Sequence, residues 1–254
     1  RFSEPLLDEM TLACGGERAY AVAEGDEGTA TRVFAVGGTE THGPLVTLPP
    51  GTLGRDEERD LLPWAEGGDL GFVRIAAGGG VQAGELHGSE LAPTHAEPAR
   101  IAPEDDVVAL DATAHDVIVV TTHDESDKCP EGRGGDSVHA LRIPRAGGAA
   151  SALEISKGEC SRDVGPFWSN VLGGALVAGW VERGSKPGRT NAPITGFAYR
   201  VFGAEGAGTK RVAQPADFVA DAGCDSSRCY AVALVREPGA DGMKPEAMKI
   251  LAYP

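Results

Sequence analysis

Two stretches in the second half of the chain align without a gap: residues 163–178 read DVGPFWSNVLGGALVA and residues 217–232 read DFVADAGCDSSRCYAV. In each, an aspartate opens a first apolar run, a glycine-rich or polar turn follows, and a second apolar run begins twelve residues after the aspartate. Short apolar runs separated by turn residues predict β-hairpins. The match between the two stretches therefore predicts a chain built from repeated β units.

The second apolar run recurs five times along the chain, with consecutive starts 51, 47, 58 and 54 residues apart. Its copies are Ala19–Val22, Leu70–Val73, Val117–Val120, Ala175–Ala178 and Cys229–Ala233. A third strand follows each copy, at Ala30–Val36, Val81–Leu86, Ser137–Ile143, Ile194–Phe202 and Ala247–Tyr253. The first four repeats then have a fourth, at Pro44–Leu48, Ala99–Ile101, Ala152–Ile155 and Thr209–Val212. A repeat of about fifty residues made of strands resembles the blade of a β-propeller.

We therefore predict an all-β fold, a five-bladed β-propeller with four-stranded antiparallel blades, as a single domain over residues 1–254. The predicted blades cover residues 8–48, 60–101, 105–155, 163–212 and 217–254, the last one completed by residues 3–7. Segment Ser3–Leu7 resembles residues 43–48 of the first blade, and pairing it with the last blade would hide an exposed strand edge. A β-sandwich with a similar number of strands is the alternative. Helices are disfavoured, because 36 glycines and 17 prolines interrupt most windows.

The charge of the chain narrows the classes of partner. A net charge of −15 excludes non-specific binding to nucleic acids, which requires a basic surface. It favours partners that are cations or carry basic patches. No apolar run reaches the length of a membrane span.

The cysteines point to an oxidising compartment, secreted or periplasmic. The chain begins at Arg1, and we expect that a leader has been removed or the chain trimmed. In the propeller arrangement Cys129 and Cys160 fall on the same face, and Cys224 and Cys229 bracket one hairpin turn. We predict these two disulfides, with Cys14 free. A bridge from Cys14 to Cys224 is the competing choice.

An aspartate stands where each predicted blade begins. Inner strands of a propeller start on one face, so these carboxylates are expected to surround the mouth of its channel. Carboxylates that converge repel one another unless they hold a cation or share protons, which is a route to catalysis. The resemblance extends to five-bladed glycosidases of the arabinanase-like kind, which use acidic residues from successive blades. If the protein is an enzyme, the candidate catalytic residues are Asp8, Asp60, Asp105, Asp163 and Asp217.

The longest loop on the same predicted face, residues 123–136, is acidic. Oxygen ligands from Asp124, Glu125 and Asp127 make it a candidate Ca²⁺ site, although the spacing is not that of a recognised calcium loop. His123, Trp168 and Arg183 are candidate ligand-binding residues. Trp168 also closes a segment, from Ser161, that resembles the Asp-box of sialidases and other propellers, with Phe167 where the box has threonine.

The predicted function is that of an extracytoplasmic, non-catalytic binding or assembly module. Loops of different length and sequence on a rigid scaffold present one asymmetric face to a protein, a glycan or a cationic ligand. The alternative is a glycoside hydrolase or lyase that uses the carboxylates at the channel mouth. No nucleophile elbow, phosphate loop or dinucleotide motif indicates another enzyme class.

Overall fold

The structure is a computed structural model of the 254-residue chain. It describes residues 9–15, 18–24, 30–36, 46–48, 58–94, 98–129, 135–157, 162–184, 194–203, 206–208, 211–212, 218–224, 227–235 and 247–253. Within these ranges no helix has the length and apolar character needed to cross a membrane.

The described residues form five antiparallel sheets that follow one another along the chain, in the arrangement of a five-bladed β-propeller. Sheet 1 contains β1 (Glu9–Gly15), β2 (Arg18–Glu24), β3 (Thr31–Val36) and β4 (Val46–Leu48). Sheet 2 contains β5 (Glu58–Glu66), β6 (Asp69–Ala76), β7 (Gly80–His87), β8 (Glu90–Pro93) and β9 (Ala99–Arg100). Sheet 3 contains β10 (Asp106–Ala112), β11 (Asp116–His123), β12 (Ser137–Pro144) and β13 (Ser151–Ser156).

The last two sheets complete the series. Sheet 4 contains β14 (Arg162–Leu172), β15 (Ala175–Gly184), β16 (Ile194–Gly203), β17 (Gly206–Ala207) and β18 (Arg211–Val212). Sheet 5 contains β19 (Phe218–Cys224), β20 (Cys229–Val235) and β21 (Ala247–Tyr253). A single turn of 3₁₀-helix at Ser126–Lys128 lies between β11 and β12.

The recurring apolar run is confirmed as the second strand of every sheet. It lies inside β2, β6, β11, β15 and β20, and each of these strands has a neighbour on both sides. Val117 to Thr121 of β11 are all buried, without the alternation of a strand that has one wet face. Continuous burial is expected of a strand that is covered on both faces. The run in β6 is buried in the same continuous way, whereas in β20 buried residues alternate with half-buried ones.

The predicted propeller blades are confirmed, and their described parts contain three to five strands each. In sheet 2 two short strands, β8 and β9, share the position of the fourth strand beside β7. The missed strand β8 pairs with one end of β7, and β9, which covers the predicted Ala99–Ile101 run, pairs with the other end. In sheet 4, β17 and β18 share the edge of β16 in the same way. Short edge strands of this kind limit unwanted pairing with other chains.

The chain divides into two compact units. The first comprises residues 1–104, 112–118 and 142–151, and the second comprises residues 105–111, 119–141 and 152–254, so that sheet 3 contributes to both. In the first unit β1 lies against β5. An apolar cluster that includes Tyr20, Leu48 and Phe72 fills the space between sheets 1 and 2. The Tyr20 hydroxyl donates to the Gly68 carbonyl at 2.8 Å, which satisfies the polar end of a buried ring.

In the second unit β14 lies against β19, and a cluster around Phe197, Tyr199 and Cys229 joins sheets 4 and 5. Trp168 packs against this cluster, with its ring centroid 6.0 Å from that of Phe197 in an edge-to-face arrangement. The proposed closing strand Ser3–Leu7 lies outside the described residues, so its pairing with β21 stays a prediction.

Candidate ligand-binding site

The site is built at one end of sheet 3, from residues of the second unit. Asp105 immediately precedes β10, His123 ends β11, and Ser137 and His139 begin β12. The loop that leaves His123 is the acidic loop singled out in the sequence. Strands β10, β11 and β12 are neighbours in the sheet. Their ends at this edge therefore bring together side chains that lie up to 34 positions apart in the chain.

A buried carboxylate holds an imidazole at this edge. Asp105 Oδ1 lies 2.7 Å from His123 Nδ1, within hydrogen-bonding distance. The Asp105 side chain is only 10% exposed, whereas the His123 ring is 25% exposed. Thr121, which is buried, donates a long hydrogen bond of 3.5 Å from Oγ1 to the other carboxylate oxygen. The carboxylate is thus satisfied inside the protein, and the ring that it orients reaches solvent.

Sequence reasoning singled out Asp105 and His123 for separate roles and missed that they are partners. The hairpin between β10 and β11 turns at residues 113–116, where the Thr113 amide donates to the Asp116 carbonyl at 2.8 Å. The centre of this turn lies between Ala114 and His115, so counting outward places Asp105 opposite Asp124 and His123 opposite Asp106. The contact between Asp105 and His123 therefore does not follow from counting along the hairpin, and it was found from the structure.

A second imidazole lies on the neighbouring strand. His139 Nε2 is 3.0 Å from Ser137 Oγ, and the two residues share one face of β12. A serine beside a histidine is the arrangement of an activated nucleophile. However, Ser137 is only 3% exposed, so a substrate cannot reach its hydroxyl. We interpret the pair as a means of positioning His139.

The acidic loop carries an internal ion pair. The 3₁₀ turn places Lys128 Nζ 3.0 Å from Glu125 Oε1. This hydrogen bond is the main reason why the pKa of Glu125 is lowered; desolvation opposes it, and the charges of Lys128, His123 and His139 add to the lowering. The pKa of Lys128 is raised by the same contact. The charges of His123 and His139 both affect Glu125, so its carboxylate lies near these two rings, at the same end of sheet 3.

The loop carries a cysteine, Cys129, just after its 3₁₀ turn. This residue is buried and disulfide-bonded. Gly135 packs on it: the backbone has φ +104°, and a Cβ there would lie 2.9 Å from Cys129 Sγ, so glycine is required. The predicted partner Cys160 lies outside the described residues, so that bridge stays a prediction. The structure pairs Cys224 with Cys229 across β19 and β20, which excludes the competing bridge from Cys14 to Cys224.

The described part of the chain contains no group of three or more His, Cys, Asp or Glu side chains that could hold a metal ion. Of the three candidate calcium ligands, Asp124 and Asp127 are exposed and Glu125 is bonded to Lys128. Calcium binding by this loop stays a prediction.

The remaining candidate residues are only partly described. Asp60 and Asp163 lie near the starts of β5 and β14, and the register of sheet 4 places Asp163 opposite Arg183. Only the backbone of these three residues is described. Asp8 and Asp217 lie outside the described residues. Trp168 is half-buried against Phe197, so much of its surface stabilises the core rather than facing solvent.

A carboxyl group that sequence reasoning missed lies at the other end of β10. Asp111 accepts a hydrogen bond from the hydroxyl of Ser169 on β14. Burial raises its pKa from 3.8 to about 6, and the hydrogen bond opposes part of this rise. No sequence pattern pairs these two residues, because they belong to different repeats and are 58 positions apart.

Comparisons with known proteins show no assigned family. No family model matches the chain, and no curated protein matches it. Among solved structures, a mutant apocarotenoid oxygenase from Synechocystis is similar, with 11% identity and a TM-score of 0.47 over 96% of this chain and 56% of that one. The catalytic domain of an α-L-arabinofuranosidase from Coprinopsis cinerea has 8% identity and a TM-score of 0.38, covering 95% and 88%. The WD40 domain of SCAP from fission yeast has 11% identity and a TM-score of 0.39, covering 92% and 59%.

Proposed function

We propose that the protein is an extracytoplasmic, non-catalytic binding module whose ligand contacts the His123 edge of sheet 3. The observation that carries this proposal is the Asp105–His123 pair, in which a carboxylate inside the protein fixes the orientation of a solvent-accessible ring. A recognition group that is already oriented loses less conformational entropy when the ligand binds. The disulfide-bonded Cys129 supports the proposal, because it limits the freedom of the adjoining loop.

Extracytoplasmic location is part of the same proposal. Two observations support it: Cys224 is bonded to Cys229, and Cys129 is also oxidised. Disulfides persist in secreted and periplasmic proteins and are rare in the reducing cytosol.

The proposal is tested with immobilised peptide and glycan panels that are probed with the wild type, His123→Ala and His87→Ala. His87 is an exposed histidine at the end of β7, far along the chain from this edge, and is the matched control. We expect at least one ligand class whose binding falls about tenfold or more in His123→Ala, the loss of a well-oriented hydrogen bond, and is unchanged in His87→Ala. Equal binding by all three proteins would exclude this edge as the site.

The second candidate is a glycoside hydrolase or lyase, and the same pair favours it. A histidine that is oriented by a buried carboxylate is also a common acid–base arrangement. A hydrolase needs two carboxyl groups about 5–10 Å apart. Asp105 and Asp111 do not meet this requirement, because they lie six positions apart along an extended strand, which separates them by roughly 20 Å.

Asp105→Asn distinguishes the two functions. The asparagine oxygen still accepts the His123 Nδ1 hydrogen bond, so a binding module should keep its affinity within a few fold. An enzyme that depends on the Asp105 carboxylate should lose roughly 10²- to 10⁴-fold in turnover. The measurement is release of reducing sugar, or of an unsaturated product, from a panel of neutral and acidic polysaccharides. If the wild type shows turnover and Asp105→Asn does not, the protein is an enzyme and the proposal of a non-catalytic binding module is wrong.

A further inference from the structure

We infer that the His123 edge recognises a cationic hydrogen-bond donor, the ammonium or guanidinium group of a basic peptide, and releases it when the imidazole is protonated. This inference rests on the proposed function and names the chemistry of its ligand. It follows from which nitrogen of His123 carries the proton, and from the groups around that ring.

The contact with Asp105 fixes the tautomer of His123. An ionised carboxylate only accepts hydrogen bonds, and in model compounds a carboxyl group gives up its proton more readily than an imidazolium does. The proton in the 2.7 Å contact therefore belongs to His123 Nδ1. In the neutral ring this leaves Nε2 with a lone pair and no hydrogen. Among the described residues, His123 has no other hydrogen bond, so Nε2 is the atom that the ring offers to a ligand.

The charges of the adjoining loop favour a donor of positive charge, and Glu125 lies close enough to His123 for their charges to interact. The loop that continues from His123 supplies Asp124, Glu125 and Asp127, and ionised carboxylates are acceptors only. Lys128 already bonds Glu125 from within the loop, with its side chain 63% exposed. The edge therefore already accommodates one ammonium group beside a carboxylate. An exposed pair of this kind is weak, so an incoming cation can compete for Glu125 at little cost.

Protonation of His123 reverses the preference of this site for a cationic ligand. When the ring takes up a proton, Nε2 becomes a donor and the imidazolium repels a cationic ligand. The titratable and charged groups that bear on this change are Asp105 before β10, His123 on β11, Asp124, Glu125, Asp127 and Lys128 in the loop, and Asp136 and His139 at β12. His139 acts in the same direction, because it also faces Glu125. Acid should therefore weaken binding of a basic peptide at this site.

The binding experiment uses an acetylated tetralysine amide as the probe and a tetraglutamate of the same length as the matched control. Calorimetry compares wild type, His123→Gln and His87→Gln at about pH 7.5 and about pH 5.5. We expect wild type and His87→Gln to bind tetralysine about tenfold more weakly at the lower pH, and His123→Gln to lose most of this difference. The inference is wrong if tetralysine does not bind, or if His123→Gln keeps the full pH dependence.

Ring nitrogen NMR separates this inference from the proposed function. We expect neutral His123 to carry its proton on Nδ1, with Nε2 shifting when tetralysine is added. If the proton is on Nε2, or if tetraglutamate binds and shifts the ring signals instead, the inference fails while the binding site stands. If neither peptide nor any ligand found on the panels shifts the His123 signals, the site itself, and with it the proposed function, is wrong.

Discussion

At the scale of single residues, Asp111 links the stability of the protein to pH. Its pKa is about 6 in the folded chain and 3.8 as the ordinary value, because burial disfavours the charged form. Between these values the folded protein binds more protons than the unfolded chain does. The contribution of Asp111 to the stability of the folded protein is therefore greatest below about pH 4, and it falls as pH rises towards about 6. A difference of two pKa units corresponds to about 3 kcal/mol.

Asp111→Asn should remove this dependence. The amide oxygen of asparagine still accepts the Ser169 hydrogen bond, but nothing ionises. We expect the variant to be more stable than wild type at neutral pH, by up to about 3 kcal/mol, and to show a smaller advantage near pH 4. Thermal unfolding across this pH range checks it, with Asp106→Asn, an exposed aspartate of the same strand, as the control. A constant difference between Asp111→Asn and wild type at all pH values contradicts the prediction.

Arg145 is a second residue with a large expected effect. Its guanidinium donates to Glu85 Oε1 at 2.7 Å, to Asp69 Oδ2 at 2.6 Å and to the Thr113 carbonyl at 3.2 Å. The same group lies 4.9 Å from the ring centroid of Trp64. All of these partners belong to the first unit. One planar cation thus ties the segment after β12 to sheet 2.

Arg145→Lys should destabilise the protein although it keeps the charge. An ammonium group cannot reproduce three hydrogen bonds in a fixed plane or stack on the indole, so we expect a loss of roughly 2 kcal/mol. Urea denaturation measures it, with Arg100→Lys on an exposed position of β9 as the control. Similar stabilities for the two variants would show that the hydrogen bonds of Arg145 contribute little.

The sequence predicted some of the important residues but not their contacts. Asp105 and His123 were singled out, but their contact does not follow from counting along the hairpin that joins them. The contacts of Asp111 with Ser169 and of Arg145 with Asp69 join residues 58 and 76 positions apart in different repeats. Such contacts depend on how neighbouring sheets pack, and no period or spacing within one chain predicts that.

At the scale of the elements, the turn between β6 and β7 shows how glycines set the register. Gly79 has φ +78°, and its amide donates to the Ala76 carbonyl at 2.9 Å. The Gly79 carbonyl accepts from the Ile101 amide at 2.9 Å, which fixes the chain after β9. A Cβ at Gly79 would collide with the Ile101 carbonyl. Gly79 therefore holds both the turn between β6 and β7 and the segment that follows β9.

Gly79→Ala should therefore cost about 1–3 kcal/mol, from the backbone strain of a positive φ and from displacement of residue 101. Gly78→Ala is the matched control, because its Cβ would meet nothing within 4 Å and its φ is not in the positive range. We expect that control to stay within about 0.5 kcal/mol of wild type. The measurement is chemical denaturation of both variants. The prediction is wrong if the two substitutions have the same effect.

The same region explains why the fourth strands were harder to predict than the second ones. Second strands are buried on both sides and leave a continuous apolar run. Fourth strands are short, lie at an edge and need little apolar character. The missed strand β8 follows β7 after the two-residue turn Gly88–Ser89, with φ +63° at Gly88. A glycine in a short polar segment was the signal for this hairpin.

At the scale of the whole molecule, the repeat predicted the number and order of the sheets, because its apolar runs follow from burial alone. It did not predict which side chains meet, and the site therefore had to come from the structure. One part of the architecture still rests on the sequence. Sheet 5 has three described strands, and β21 is the last of them. On this strand Met248 is 67% exposed and Ile250 is 71% exposed.

Removing residues 1–7 tests whether Ser3–Leu7 supplies the fourth strand of sheet 5. If it does, the truncated protein loses the hydrogen bonds along β21 and leaves an apolar edge open to other chains. We expect a Tm lower by at least about 4 °C, the shift that a loss of roughly 2 kcal/mol produces in a chain of this size. Hydrogen exchange should localise the change, with β21 amides losing protection and those of β11 in sheet 3 keeping theirs. An unchanged Tm together with unchanged protection of β21 would mean that this segment does not complete the sheet.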